Sequence, residues 1–170
     1  MCIRDSSYRK PQIQSKQDNI ISPQTSYQIL SILRGAIVRG TGKSLNSIQY
    51  PIAGKTGTTN DSKDLWFFGL TPKFVVGVYV GYDNPKKIGY RETGSSVALP
   101  IFKSFMEAYL LEDTDKNIDF FIPDNIILKK INAITGAFET KNSSIIEYFT
   151  KDQLETINNL NKVNTIGGIN

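Results

Sequence analysis

Apolar residues recur at helical spacing in the segment that follows Ser22. Ser22 and Pro23 have the character of an N-cap and a first helical position, since serine accepts a free backbone N–H and proline has none to leave unpaired. Glycines at 40 and 42 then favour a stop. The pattern predicts a helix from Ser22 to about Arg39, with one apolar stripe formed by Leu30, Leu33 and Ile37.

Two strands are predicted next. Residues 65–70 form a short aromatic run that ends at a turn at Thr71-Pro72, and residues 74–82 alternate with a period of two. Adjacent strands separated by a short turn indicate an antiparallel hairpin. One face of the second strand carries Phe74, Val76, Val78, Val80 and Tyr82, and the other carries Val75, Gly77, Tyr79 and Gly81. We expect the glycines at 77 and 81 to leave a shallow surface on which a helix could sit, and the aromatic run at 66–68 to be core.

A second helix is predicted from Pro100, with Ile101, Phe102, Phe105 and Tyr109 on its apolar side. Such a helix beside an antiparallel sheet predicts an α/β layer. A short strand is expected at 126–131, whereas the tail from Thr140 gives no functional signal.

Composition excludes several kinds of chemistry. The 170 residues suit one domain or part of one, and the net charge of +4 comes from scattered basic residues that solvation explains, so no nucleic-acid partner is indicated. The absence of histidine excludes Ser-His-Asp and Cys-His mechanisms and histidine-ligated metals. The single cysteine, Cys2, excludes an internal disulfide and a cysteine-only zinc cluster.

The beginning of the chain has its own interpretation. No apolar run reaches about 18 residues and no signal peptide opens the chain. Residues 1–6, MCIRDS, share no pattern with the rest of the chain, and we interpret them as a non-native start or artefact.

The stretch AGKTGTTND, Ala53 to Asp61, carries the chemistry. In an extended segment Lys55 and Gly57 share one face, and Thr56 and Thr58 share the other. A substrate peptide laid beside this edge would find backbone partners, a positive charge, and a glycine that permits close approach.

Two other interpretations of this stretch compete with a peptide-binding edge. A phosphate-binding P-loop needs a glycine five positions before the glycine of its GK pair, but Gln49 and Ile37 occupy those positions for the two candidates, GKT and GKS. An exposed polar loop would be the better interpretation of an isolated KTG tripeptide. The surrounding helix and strands make that interpretation weaker here.

Four stretches together resemble the C-terminal part of the transpeptidase domain of class A penicillin-binding proteins, which join a peptidoglycan glycosyltransferase to a transpeptidase. The resemblance extends from Ile21 to about Glu139, so the domain part is placed at 7–139 and a tail at 140–170. It is carried by SPQTSYQILSILRGAIVRGTG, PIAGKTGTTNDSKDLWFFGLTP, FVVGVYVGYDNP and ETGSSVALPIFKSFM.

The resemblance implies serine acyl transfer on D-Ala-D-Ala stem peptides, with the serine in an upstream SxxK motif. Lys55 would hold a positive charge near that serine, Thr56 would bind the substrate carboxylate, Gly57 would allow close approach, and the Thr58 backbone N–H would be half of an oxyanion hole. It also implies the penicillin-binding, serine β-lactamase-like α/β fold, present in part as an antiparallel sheet with helices on its faces.

Further expectations follow from the same resemblance. The parent protein would be anchored in the inner membrane with its catalytic domains in the periplasm, would bind β-lactams, and would need no metal or organic cofactor. A non-catalytic penicillin-recognition module and an inert fragment are the alternatives. An intact upstream SxxK motif together with deacylation or transpeptidation activity would distinguish the enzyme from the first of these.

Two further motif matches, to SxxK and SxN, rest on the order of the residue types alone. Ser7 fits SxxK, but Pro11 follows the lysine and the flanking residues are polar. Ser44 and Asn46 fit SxN, but they precede the KTG strand too closely. The segment Arg91 to Gly94 is expected to be an exposed loop.

Overall fold

The computed structural model describes Asp18 and residues 20–112, 118–140 and 144–166, so residues 1–6 and Ser7 lie outside the described part. In chain order the main elements are α1 (Pro23–Val38), β1 (Ala53–Thr58), β2 (Asp64–Leu70), β3 (Val75–Gly81), α2 (Leu99–Glu112), β4 (Ile126–Ile131), β5 (Ile145–Thr150) and α3 (Lys151–Ile166).

The ends of α1 are fixed by side chains. Ser22 Oγ accepts a hydrogen bond from the Thr25 backbone N–H at 3.1 Å, so the predicted N-cap is confirmed. At the other end Asn46, in a short 3₁₀ turn, donates from Nδ2 to the Val38 carbonyl at 3.3 Å. Asn46, which fits the SxN motif by residue order, therefore satisfies a backbone carbonyl at the end of α1. Carbonyls at such an end lack intrahelical partners.

The central sheet has the order β1-β2-β3 and is antiparallel throughout. The predicted hairpin is β2–β3, and its turn is held by Thr71, whose Oγ1 accepts from the Phe74 N–H and donates to the Phe74 carbonyl, both at 3.0 Å. The strand that contains Lys55 is an edge strand of this sheet. Among the described residues, one side of it has no partner strand and could take another extended chain.

The core lies on one face of the sheet, between β2, β3 and α2. Phe67 and Phe102 are fully buried with ring centroids 4.9 Å apart, and burying each such ring is worth roughly 1.5–3 kcal/mol. Val76 and Val78 pack against this cluster. The helix thus covers the valine face of β3. Our expectation that a helix sits on the face with Gly77 and Gly81 is wrong, because the valines offer more apolar area to bury.

The opposite face of the sheet carries a cluster that we call the aromatic face, formed by Trp66, Phe68 and Tyr79. The rings of Trp66 and Phe68 stack at 5.4 Å, and those of Trp66 and Tyr79 lie 4.6 Å apart. Phe68 and Tyr79 remain 48% and 49% exposed. The expectation that the whole run 66–68 is core is therefore wrong, since the alternation of the strand sends only Phe67 inward.

A C-terminal unit packs against α1. The predicted strand at 126–131 is present as β4, and it pairs with β5 in a separate two-stranded antiparallel sheet. Tyr148 of β5 meets Tyr27 of α1 edge-on with centroids 5.1 Å apart, and Gln28 Nε2 donates to the Tyr148 carbonyl at 2.7 Å. Burial and the neighbouring Tyr148 raise the pKa of Tyr27 to about 12. The tail boundary at residues 139 and 140 stays a prediction.

Candidate active site

The backbone of β1 presents polar groups at its outer edge. The Thr59 N–H donates to the Asp64 carbonyl at 3.0 Å, so this pair is a hydrogen-bonded one. Hydrogen-bonded and non-hydrogen-bonded pairs alternate along an antiparallel ladder. The register then makes Thr58 and Thr56 members of non-hydrogen-bonded pairs. Their N–H and C=O groups point away from β2, toward the open side of the sheet.

Lys55 lies on the same face as the aromatic cluster. It is directly opposite Phe68 across β1 and β2, and it is exposed. Its Nζ donates to the outward-facing Thr56 carbonyl at 2.9 Å. The ammonium group therefore lies at the strand edge, where a docked peptide or carboxylate would be within its reach.

Thr56 leaves the strand on the opposite face from Lys55. Its Oγ1 lies 3.0 Å from Thr41 Oγ1, in the segment that follows α1. Both atoms belong to hydroxyls, and each hydroxyl has one donor and two acceptor positions. Thr56 therefore keeps hydrogen-bonding capacity for a ligand while its partner restricts its rotamer.

Gly57 faces the aromatic cluster next to Lys55. It is opposite Trp66, and a Cβ built at position 57 would lie 3.2 Å from the Trp66 Cβ. A side chain there would have to displace the tryptophan slightly. Because Gly57 has no side chain, a ligand could approach the backbone closely beside Lys55.

Thr58 has a partner that sequence reasoning missed. Its Oγ1 accepts a hydrogen bond from the Gly94 backbone N–H at 3.0 Å, and Gly94 is buried. The expectation that the segment Arg91 to Gly94 is an exposed loop is therefore wrong at its last residue. Thr93 and Ser96 form a capping box, and this start signal immediately before an apolar helix was the available clue.

The remaining candidate residues are not gathered at this strand edge. Ser44 lies in the 3₁₀ turn between α1 and β1 and is exposed. Within the described ranges, no group of three or more His, Cys, Asp or Glu residues is arranged to hold a metal ion. Over the same ranges, no helix combines the length and the apolar character needed to cross a bilayer.

Comparison with known proteins gives one family. Residues 2–107 match the penicillin binding protein transpeptidase domain. Penicillin-binding protein 1A of Rickettsia prowazekii is 47% identical over 135 residues, which are 79% of this chain and 17% of that protein. Penicillin-binding protein 1A of Pseudomonas aeruginosa is 41% identical over 120 residues, 70% of this chain and 14% of that protein. The chain thus spans less than a fifth of these curated relatives.

A solved structure agrees with this result. The crystal structure of Penicillin-Binding Protein 1A from Haemophilus influenzae superposes with a TM-score of 0.68 and 32% sequence identity, over 78% of this chain and 21% of that one. The expected fold, an antiparallel sheet with helices that forms part of a larger domain, is confirmed. The chain therefore belongs to the penicillin-binding protein transpeptidase domain family.

Proposed function

We propose that this chain is the part of a serine-type peptidoglycan DD-transpeptidase that supplies the substrate-binding strand and one oxyanion donor. The observation that carries the proposal is the edge strand β1, which presents Lys55 on one face, Thr56 on the other, and the Thr58 N–H off its open side. This arrangement suits an extended acyl donor that ends in a carboxylate.

The proposed reaction has two steps. A serine Oγ on the upstream part of the domain attacks the penultimate D-Ala carbonyl, and the C–N bond breaks as the terminal D-Ala leaves with a proton. An amine of a neighbouring stem peptide then attacks the acyl-enzyme, which releases the serine and forms the cross-link. In both steps negative charge develops on the carbonyl oxygen.

Each strand residue has a role in these steps. The Thr58 N–H donates to the developing oxyanion, an interaction worth about 3 kcal/mol in comparable sites. The Thr56 hydroxyl binds the terminal carboxylate of the substrate. Lys55 supplies positive charge near that carboxylate and the serine. Gly57 permits the substrate to approach the strand closely.

The whole protein is proposed to be larger and exported. In this proposal it carries a peptidoglycan glycosyltransferase domain, is anchored in the inner membrane upstream of this segment, and acts in the periplasm. β-Lactams would acylate the same serine because they mimic the D-Ala-D-Ala terminus. The 47% identity to a penicillin-binding protein 1A supports this assignment.

Labelling with a fluorescent penicillin tests the proposal. The gene that contains this segment would be expressed at full length, as wild type and as Lys55→Met. We expect acylation of the wild type and at least a hundredfold slower acylation of the variant. Lys43→Met is the matched control, because Lys43 is also exposed, follows a glycine in the same way, and lies outside β1.

Three results would count against the proposal. Wild type that takes up no label would contradict it directly, and equal losses in both lysine variants would contradict the role of Lys55. Labelling without cross-linking of stem peptides would favour a penicillin-recognition module instead.

A further inference from the structure

Gly94 lies in the turn that leads into α2 and connects this turn to β1. Its backbone N–H donates to Thr58 Oγ1 at 3.0 Å, across 36 positions of sequence. The hydroxyl that accepts this bond belongs to the residue whose own N–H points off the open edge of β1. The bond therefore acts on the peptide unit that the proposed function uses as its oxyanion donor.

The contact leaves no room for a side chain. A Cβ built on Gly94 would overlap the Trp66 carbonyl oxygen, and it would lie 2.6 Å from the Gly57 carbonyl oxygen and 3.1 Å from the Gly57 nitrogen. All three atoms belong to backbone, so they cannot rotate away as a side chain would. A methyl group at position 94 must therefore move β1, β2 or the turn itself.

Gly94 is itself held firmly. Thr93 Oγ1 accepts from the Ser96 N–H at 3.3 Å, and Ser96 Oγ accepts from the Thr93 N–H at 2.9 Å. The turn continues directly into α2, where Ala98 and Leu99 are buried. The position of Gly94 is thus set by the core of the domain.

The end of β1 is also held one residue further on: the Thr59 N–H donates to the Asp64 carbonyl at 3.0 Å, and Thr59 Oγ1 accepts from the Asp64 N–H at 2.9 Å. Thr58 is the last residue of the strand, and Asp61 and Ser62 just beyond it have positive φ values of 61° and 52°. Such residues belong to a turn that leaves the sheet direction. The bonds to Asp64 hold Thr59, whereas the bond from Gly94 acts on Thr58 itself.

We propose that Gly94, through its bond to the Thr58 hydroxyl and its close packing on Gly57, is a positioning residue that fixes the Thr58 N–H for oxyanion stabilisation. The inference rests on the proposed function of β1. A displacement of about 1 Å at such a donor costs on the order of a hundredfold in rate. Gly94 contacts no substrate atom in this proposal, since it lies on the inner side of the strand.

The test separates acylation from binding. In the full-length protein, the concentration dependence of fluorescent-penicillin labelling gives the dissociation constant and the acylation rate constant. We expect Thr58→Val and Gly94→Ala to lower the rate constant at least tenfold, with a change of less than threefold in the dissociation constant. Thr58→Ser keeps the acceptor hydroxyl, so its rate constant should exceed that of Thr58→Val at least threefold.

A control glycine lies in α1, away from this contact. A Cβ at Gly35 would meet the guanidinium end of the Arg39 side chain. Gly35→Ala should therefore acylate at the wild-type rate. Thr58→Val keeps the β-branched shape of an exposed strand residue, so this variant retains the fold even if Gly94→Ala does not.

The outcomes are distinct. Wild type that is not acylated overturns the proposed function and this inference with it. An acylated wild type together with a Thr58→Val variant of unchanged rate overturns this inference alone. It is also overturned if Thr58→Ser fails as badly as Thr58→Val, or if only the dissociation constant changes.

Discussion

The hydroxyl oxygens of Thr41 and Thr56 lie 3.0 Å apart, and this contact connects the segment after α1 to β1. The two residues are separated by 15 positions. Thr56 is the residue proposed to bind the substrate carboxylate. The contact therefore couples the end of a helix to the orientation of a substrate-binding side chain.

Removing the Thr41 hydroxyl should weaken binding of β-lactams. In Thr41→Val the Thr56 side chain loses its partner and gains rotamer freedom, which costs about 1 kcal/mol, or roughly fivefold in the dissociation constant. Titration of the full-length protein with a fluorescent penicillin measures this constant. Ser44→Ala, in the neighbouring exposed turn, should bind as wild type. An unchanged constant for Thr41→Val would remove the role given to this contact.

Two glycine substitutions should change stability in opposite directions. A Cβ at Gly69 would overlap the buried ring of Phe102, so Gly69→Ala should cost about 1–3 kcal/mol through overpacking. A Cβ at Gly35, inside α1, would meet only the mobile guanidinium of Arg39. Gly35→Ala should therefore gain about 0.5–1 kcal/mol. Thermal unfolding of the full-length protein measures both shifts, and a stabilising Gly69→Ala would contradict the described core.

The isolated chain is expected to aggregate. Among the described strands β3 has no partner on its outer side, and Val75 and Phe68 on the same face are 64% and 48% exposed. Such edges and apolar faces pair with other chains. Val75→Lys combined with Phe68→Lys should move more of the expressed chain into the soluble fraction. A soluble wild-type monomer with one cooperative unfolding transition would refute this expectation.

Stability should fall at alkaline pH because of Tyr27. Its pKa is raised from 10.0 to about 12, chiefly because burial disfavours the phenolate. The raised pKa means that the stabilisation is complete below pH 10 and is lost as pH rises toward 12. By linkage the complete loss is on the order of 3 kcal/mol, and roughly half of it falls between about pH 9 and about pH 11. Denaturant unfolding of the full-length protein at these two pH values measures that half.

A phenylalanine variant isolates this contribution. Tyr27→Phe cannot ionise, so the free energy of unfolding should change less between the two pH values than it does in wild type. Tyr90→Phe is the control, because Tyr90 is 79% exposed. If Tyr27→Phe and wild type show the same pH dependence, the burial of Tyr27 is not its cause.

Local patterns predicted most of the secondary structure. Ser22 and Pro23 marked the start of α1 because capping depends on neighbouring residues only. The alternation in 74–82 predicted β3, and the turn at Thr71 predicted the hairpin. These signals need no distant partner, and they are therefore readable in one sequence.

The faces of the sheet were harder to predict. Alternation says that Trp66 and Phe67 point in opposite directions, but it does not say which direction is inward. That choice depends on where α2 packs, and α2 lies about 30 residues further along the chain. Sequence reasoning alone therefore places the whole run 66–68 in the core, whereas Phe68 is 48% exposed.

By itself the sequence determined most of the elements, the KTG strand and the family, because periodicity, caps and motif residues are local properties. It did not predict β5 or α3, which lie in the segment from Thr140. Only the tertiary structure decided which groups meet the KTG strand. Thr41 contacts Thr56 across 15 positions of sequence. Gly94 donates to Thr58 across 36 positions. A backbone N–H bound to a hydroxyl leaves no mark in composition or spacing, since every residue except proline has that N–H. The geometry of the site therefore depended on how the helices pack on the sheet.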